Sequence, residues 1–79
     1  MSRQYKSQMA QQTYNNFLKM FSEEGNCYYT LKQSINSDYE HGQIPTGATK
    51  LLLENILRDV TVDFLKDDIK VVHQSKYFK

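Results

Sequence analysis

The sequence predicts an all-α domain built from a small helical hairpin and a long C-terminal helix. Three stretches carry this prediction, because apolar residues recur in each of them at the three- and four-residue spacing of a helix. Short segments containing glycine separate the stretches, and the second segment ends at the only proline. Because 79 residues can bury only one small core, residues 1–79 are expected to form a single domain.

The first helix is expected within residues 3–22, which contain neither glycine nor proline. One face of this stretch is apolar and the opposite face is rich in glutamine and asparagine. Gly25 follows the last apolar position, and glycine just past a helix is a common termination signal. The apolar face comprises Ala10, Tyr14, Phe17, Leu18 and Phe21.

The second helix is expected to begin after Asn26, a residue type that often caps free backbone N–H groups. Tyr28, Leu31, Ile35 and Tyr39 then fall on one face. Residues 40–45 have the composition of a loop, and the chain there leads to the proline.

The third helix has the strongest start signal, since Pro45 cannot lie inside a helix and the Thr46 hydroxyl can cap the first turn. The helix is expected to run to about His73, and residues 74–79 are expected to form a flexible tail. It carries one strong apolar stripe and a second one slightly rotated from it. The first comprises Leu53, Ile56, Leu57, Val60 and Phe64, and the second comprises Val62, Leu65, Ile69 and Val72.

An α+β fold with a C-terminal β-hairpin at about 60–73 is the alternative, because residues 60–64 alternate like a strand. We favour the helix, since two strands alone are weakly stable and no third strand is evident. In the all-α fold, the residues expected to be buried are Phe17, Leu18, Phe21, Leu31, Ile35, Leu53, Ile56, Leu57, Val60 and Phe64.

Composition narrows the class of protein. Ten basic and nine acidic residues give a net charge of +1, which argues against a nucleic-acid partner. The polar N-terminus lacks a signal peptide and no apolar run approaches a membrane span, so we expect a cytoplasmic protein without membrane contact. One cysteine and two histidines argue against a disulfide or a zinc site, and no cofactor is expected. Oligomerisation remains as the means of stabilising so short a chain.

No catalytic constellation is recognisable, and we expect that the protein is not an enzyme. Cys27 at a helix start could be a nucleophile, but neither His41 nor His73 is spaced to act as its base. A small core residue is the favoured interpretation of Cys27. Asp59, Asp63 and Asp67 could hold a cation on one helix face, but Lys66 and Lys70 favour a solvated, salt-bridged face. We therefore expect no metal site.

Two surfaces are candidates for binding. Thr46, Gly47, Thr49 and Lys50 could hold an anion at the N-terminus of the third helix, although ordinary capping is the favoured interpretation. The second stripe of the third helix would extend beyond the reach of the other two helices, and exposed apolar patches mark interfaces. The expected self-association or partner surface comprises Val62, Leu65, Ile69 and Val72, with the surplus tyrosines Tyr28 and Tyr29.

The sequence therefore predicts a non-catalytic cytoplasmic regulator or inhibitor that acts by protein–protein contact as a homo-oligomer. Small helical accessory proteins of phages and mobile elements that block a host factor share this size. The alternative is an oligomer that binds an anionic small ligand or nucleotide at the start of the third helix.

Overall fold

The computed structural model describes residues 3–67, which form three α-helices and no strand. These are α1 (Gln8–Ser22), α2 (Tyr28–Glu40) and α3 (Gly47–Asp67). The all-α prediction is confirmed. The alternative β-hairpin is not supported, because residues 60–67 belong to α3. The predicted end of this helix near His73 and the predicted tail at 74–79 lie outside the described residues.

The first helix lies within the predicted stretch 3–22 and occupies its later part. The Ser7 side chain accepts a hydrogen bond from the Ala10 N–H at 3.3 Å, so Ser7 is the N-cap and α1 starts at Gln8. Residues 3–7 are non-helical, and Arg3 in this segment reaches α3. At the other end, Gly25 has a φ of 75°, a left-handed conformation in which glycine is favoured.

The second helix begins one residue later than predicted, because Cys27 and not Asn26 is its N-cap. The Cys27 side chain makes no capping hydrogen bond, so this start is weaker than that of α1. After α2, Gly42 turns the chain at a φ of 79°. The N–H groups of the next two residues both donate to the Asp38 carbonyl, and the turn buries Ile44.

The third helix is the centre of the fold. As predicted, its first turn is capped by Thr46, whose Oγ1 accepts a hydrogen bond from the Thr49 N–H at 3.1 Å. Ile56, Leu57 and Val60 are almost completely buried. Both α1 and α2 pack against α3 more extensively than against one another. One side of α3 thus supplies most of the interface that joins the three helices.

The core largely follows the predicted stripes. Six predicted residues are buried: Phe21, Leu31, Ile35, Ile56, Leu57 and Val60. Four predicted residues are half-buried at its margin: Phe17, Leu18, Leu53 and Phe64. The structure adds Ala10, Tyr14 and Ile44 to the core.

Candidate functional site

A polar cluster joins the N-terminal segment to α3, and we call it the Arg3 cluster. It comprises Arg3, Tyr5, Tyr14, Asp59 and Asp63. The Arg3 guanidinium donates two hydrogen bonds to Asp63, from Nε at 3.1 Å and from Nη2 at 3.0 Å. The hydroxyl of Tyr14 donates to Asp63 at 2.8 Å, and that of Tyr5 donates to Asp59 at 2.7 Å. The cluster therefore ties residues 3–7 and α1 to the same side of α3.

Gln11 of α1 makes hydrogen bonds to the backbone of the N-terminal segment 3–7. The Gln11 side chain accepts a hydrogen bond from the Tyr5 N–H at 2.8 Å and donates one to the Arg3 carbonyl at 3.1 Å. The rings of Tyr5 and Tyr14 lie 5.5 Å apart in a tilted arrangement, within the range of favourable aromatic pairs. Backbone and side-chain bonds together fix the position of Arg3.

Electrostatics within the Arg3 cluster favours the charge state that makes these hydrogen bonds. Partial burial opposes ionisation of Asp63, but hydrogen bonds from Arg3 and Tyr14 outweigh it and lower the pKa of this carboxyl group. Burial, partial for Tyr5 and nearly complete for Tyr14, and the hydrogen bonds to Asp59 and Asp63 raise the pKa of both tyrosines above the usual value. The cluster thus pairs ionised Asp63 with neutral tyrosines.

The sequence-based interpretation of the aspartates missed this cluster. We expected the salt bridges of Asp63 to come from lysines on its own helix, whereas the described residues give it Arg3 as its partner. No local pattern could identify the contact, since the two residues are separated by 60 positions. Within residues 3–67, no group of three or more histidine, cysteine or acidic side chains could hold a metal ion.

The predicted anion site at the start of α3 is occupied by internal contacts. Besides capping Thr49, the Thr46 hydroxyl lies 2.9 Å from the Thr49 hydroxyl. The Lys50 ammonium pairs with Glu54 at 3.6 Å and lies 5.4 Å from the centre of the Tyr39 ring. Gly47 occupies the first helical position, with space for a Cβ atom 3.8 Å from the Tyr39 hydroxyl. An anion at this position would compete with these contacts, and the ligand-binding alternative stays a prediction.

The lone cysteine lies at the start of α2 and contacts a threonine. Its sulfur is 3.4 Å from the Thr30 Oγ1, and hydrogen bonds with the Thr30 side chain and backbone lower the pKa of the Cys27 thiol. His41 follows the other end of α2, where its ring lies 2.8 Å from the Ser37 carbonyl. A 13-residue helix is about 20 Å long, so Cys27 and His41 do not form a nucleophile–base pair.

The side of α3 that faces away from the core is open to solvent, and we call it the outer face. Leu51 is 57% exposed and Val62 is 52% exposed. Asn55 and Arg58 lie between them, joined by a hydrogen bond from Nη1 to Oδ1 at 3.0 Å. The outer face comprises Ala48, Leu51, Asn55, Arg58, Val62 and the half-buried Leu65.

The structure separates the residues predicted to form an interface. Val62 and Leu65 lie on the outer face, whereas Ile69 and Val72 lie outside the described residues. Tyr28 is half-buried, with the Lys32 ammonium 5.7 Å from its ring centre. Tyr29 is 67% exposed, and its hydroxyl accepts a hydrogen bond from the Gln33 side chain. Leu51 was not among the predicted interface residues, and it is a further exposed apolar side chain of the outer face near the start of α3.

Comparison with known proteins gives no relative from which a role could be transferred. No family model matches the chain, and no curated protein or solved structure matches it. Over residues 3–67, none of the helices is both long and apolar enough to span a lipid bilayer.

Proposed function

We propose that this protein is a small non-catalytic regulator or inhibitor that acts in the cytoplasm by protein–protein contact through the outer face of α3. The observation that supports the proposal is the exposure of Leu51 and Val62, two large apolar side chains on the side of α3 opposite its core contacts. Both side chains lie on one stripe of α3, with Asn55 and Arg58 between them, and we assign protein contacts to this stripe.

The apolar area exposed on the outer face is enough for association of moderate strength. Complete burial of a leucine or valine side chain contributes about 1.5–3 kcal/mol, so covering the exposed half of Leu51 or Val62 would contribute about 1 kcal/mol each. The exposed Leu52 and the half-buried Leu65 flank these residues and can add to the contact. Because association costs several kcal/mol, we expect a reversible complex and not a permanent one.

The proposed role includes self-association and regulation of a further protein, since both would use the same kind of surface. Small size and a helical fold are also the grounds on which we propose an accessory role, of the kind by which phages and mobile elements block a host factor. The outer face would supply the contacts in either role, to one partner at a time, and the proposed role requires no catalysis.

Site-specific photo-crosslinking tests the proposal. A benzoylphenylalanine at Val62 should form a covalent adduct with another protein chain in cells that express the protein, whether a second copy or a different protein. The same probe at Lys19, which is exposed on α1, is the matched control and should give little adduct. Equal or absent crosslinking at the two positions would refute a protein-binding role for the outer face.

A further inference from the structure

The outer face of α3 has the spacing of a coiled-coil seam. Its six residues, at positions 48, 51, 55, 58, 62 and 65, are separated alternately by three and four residues. This is the spacing of the a and d positions of a heptad, which places them along one stripe of a helix. The core residues Ile56 and Leu57 lie on the opposite side, about half a turn around the helix. The seam therefore remains available when α1 and α2 are packed.

The order of residue types along the seam is symmetric. Asn55 and Arg58 form a polar centre, Leu51 and Val62 lie one step further out on each side, and the apolar Ala48 and Leu65 follow. When two identical helices pack antiparallel about a two-fold axis at this centre, each residue meets its mirror position in the other chain. Polar side chains then meet polar ones and apolar side chains meet apolar ones, so the surface is complementary to itself.

We propose that the outer face of α3 binds the outer face of a second copy in an antiparallel two-helix seam. Leu51 packs against the partner's Val62, Asn55 lies beside the partner's Arg58, and Ala48 packs against the partner's Leu65. This inference rests on the proposed function, which assigns protein contacts to this face, and it specifies a second copy of the chain as one partner.

Charge selects the antiparallel direction. In a parallel pair in the same register, Arg58 would face the partner's Arg58, and two guanidinium groups in the seam would repel each other. In the antiparallel pair, Arg58 faces the partner's Asn55, whose side-chain oxygen is a hydrogen-bond acceptor. Arg58 already donates to Asn55 within one chain at 3.0 Å, so dimerisation can exchange this bond for an equivalent one between chains.

Cysteine crosslinking tests the register directly. In chains carrying C27S to remove the native thiol, L51C and V62C variants are mixed and oxidised. Because Leu51 and Val62 are exposed, neither substitution should unfold the monomer. We expect disulfides mainly between L51C and V62C chains, with few L51C–L51C or V62C–V62C products. A K19C variant, with its thiol on the exposed face of α1, is the control for random collision.

The products distinguish the possible arrangements. A predominance of V62C–V62C disulfides would indicate a parallel pair and would overturn the proposal. Products in the ratio expected for random collision, at the K19C level, would also overturn it. If the protein is monomeric but the photo-probe at Val62 captures a different protein, self-pairing is refuted while the proposed function stands.

A charge substitution provides an independent measurement. N55E should lower the dimer dissociation constant by about threefold, since two symmetric glutamates would each meet an exposed arginine of the other chain. In a parallel pair the same substitution would bring two glutamates together and would weaken association. Sedimentation equilibrium measures the constant, and circular dichroism checks that helicity is retained. Unchanged or weaker association of N55E would contradict the antiparallel register.

Discussion

Removing one hydroxyl group from the Arg3 cluster tests whether that cluster stabilises the fold. Tyr14 is only 1% exposed, and its hydroxyl donates to Asp63 at 2.8 Å. Tyr14→Phe keeps the buried ring and deletes the hydrogen bond. The packing of the core should therefore be preserved, so that the measured change reports the polar contact.

The expected loss follows from the environment of the acceptor. A hydrogen bond to a charged group contributes about 1.5–3 kcal/mol when no other group can replace it. Here the Asp63 side chain is 20% exposed and keeps both bonds from Arg3, so water and the guanidinium partly compensate. We expect Tyr14→Phe to lower the free energy of unfolding by about 1–2 kcal/mol. For a domain of this size, the melting temperature should fall by about 5–10 °C.

Urea unfolding followed by far-UV circular dichroism measures this loss. Tyr29→Phe is the matched control, because the Tyr29 hydroxyl bonds to Gln33 on an exposed surface, and the change should be below about 0.5 kcal/mol. A double-mutant cycle with Asp63→Ala isolates the pair. Two results would refute a stabilising role of the Tyr14–Asp63 hydrogen bond. One is that Tyr14→Phe lowers the free energy of unfolding no more than Tyr29→Phe does, and the other is that it lowers this free energy equally in the wild type and in Asp63→Ala.

Three further predictions concern stability. Because the pKa of Asp63 is lowered from 3.8, ionised Asp63 stabilises the folded state above about pH 4, and this stabilisation is lost as the pH falls through the folded-state pKa. Asp63→Asn should therefore make the free energy of unfolding depend less on pH in acid, as measured by urea unfolding at several pH values. The raised pKa values of Tyr5 and Tyr14 make stability depend on pH in the opposite direction. The contribution of these tyrosines to the free energy of unfolding is complete below the unfolded-state pKa of 10.0 and is lost as the pH rises above it, so Tyr14→Phe should reduce the loss of stability at alkaline pH. Gly42→Ala should destabilise by about 1 kcal/mol in urea titrations because of its positive φ, whereas Gly47→Ala at a helical position should be neutral or stabilising.

The parts of the fold that sequence could predict are those set by neighbouring residues. The capping of α3 by Thr46 depends on a residue three positions away, and the buried stripe of α3 depends on spacing within one helix. Both predictions were confirmed. The first residue of α1 could not be located within residues 3–22 from helical spacing alone, because it depends on the hydrogen bond that the Ser7 side chain accepts from the Ala10 N–H.

The Arg3 cluster could not be predicted because its contacts join distant positions. Tyr14 and Asp63 are 49 positions apart, and their pairing depends on how α1 lies across α3. The outer face was predicted only in part for a different reason. Residues 51–53 form one apolar run, and helical spacing correctly assigned Leu53 to the core stripe. Spacing does not show which other side of α3 the first two helices leave uncovered, so the exposure of Leu51 was not predicted.

The Arg3 cluster and the outer face should contribute to stability in separable ways. The cluster acts within one chain, so its contribution does not depend on protein concentration. A dimer seam adds stability that rises with concentration by mass action. The melting temperature of the wild type and of Tyr14→Phe should therefore rise by similar amounts as the protein is concentrated. The melting temperature of Val62→Asp should not change with concentration, because the charge prevents the seam from forming. It should equal that of the wild type at high dilution, because Val62 is half exposed in the monomer. A wild-type melting temperature that does not change with concentration would contradict the self-association of α3 and leave the role of the cluster intact.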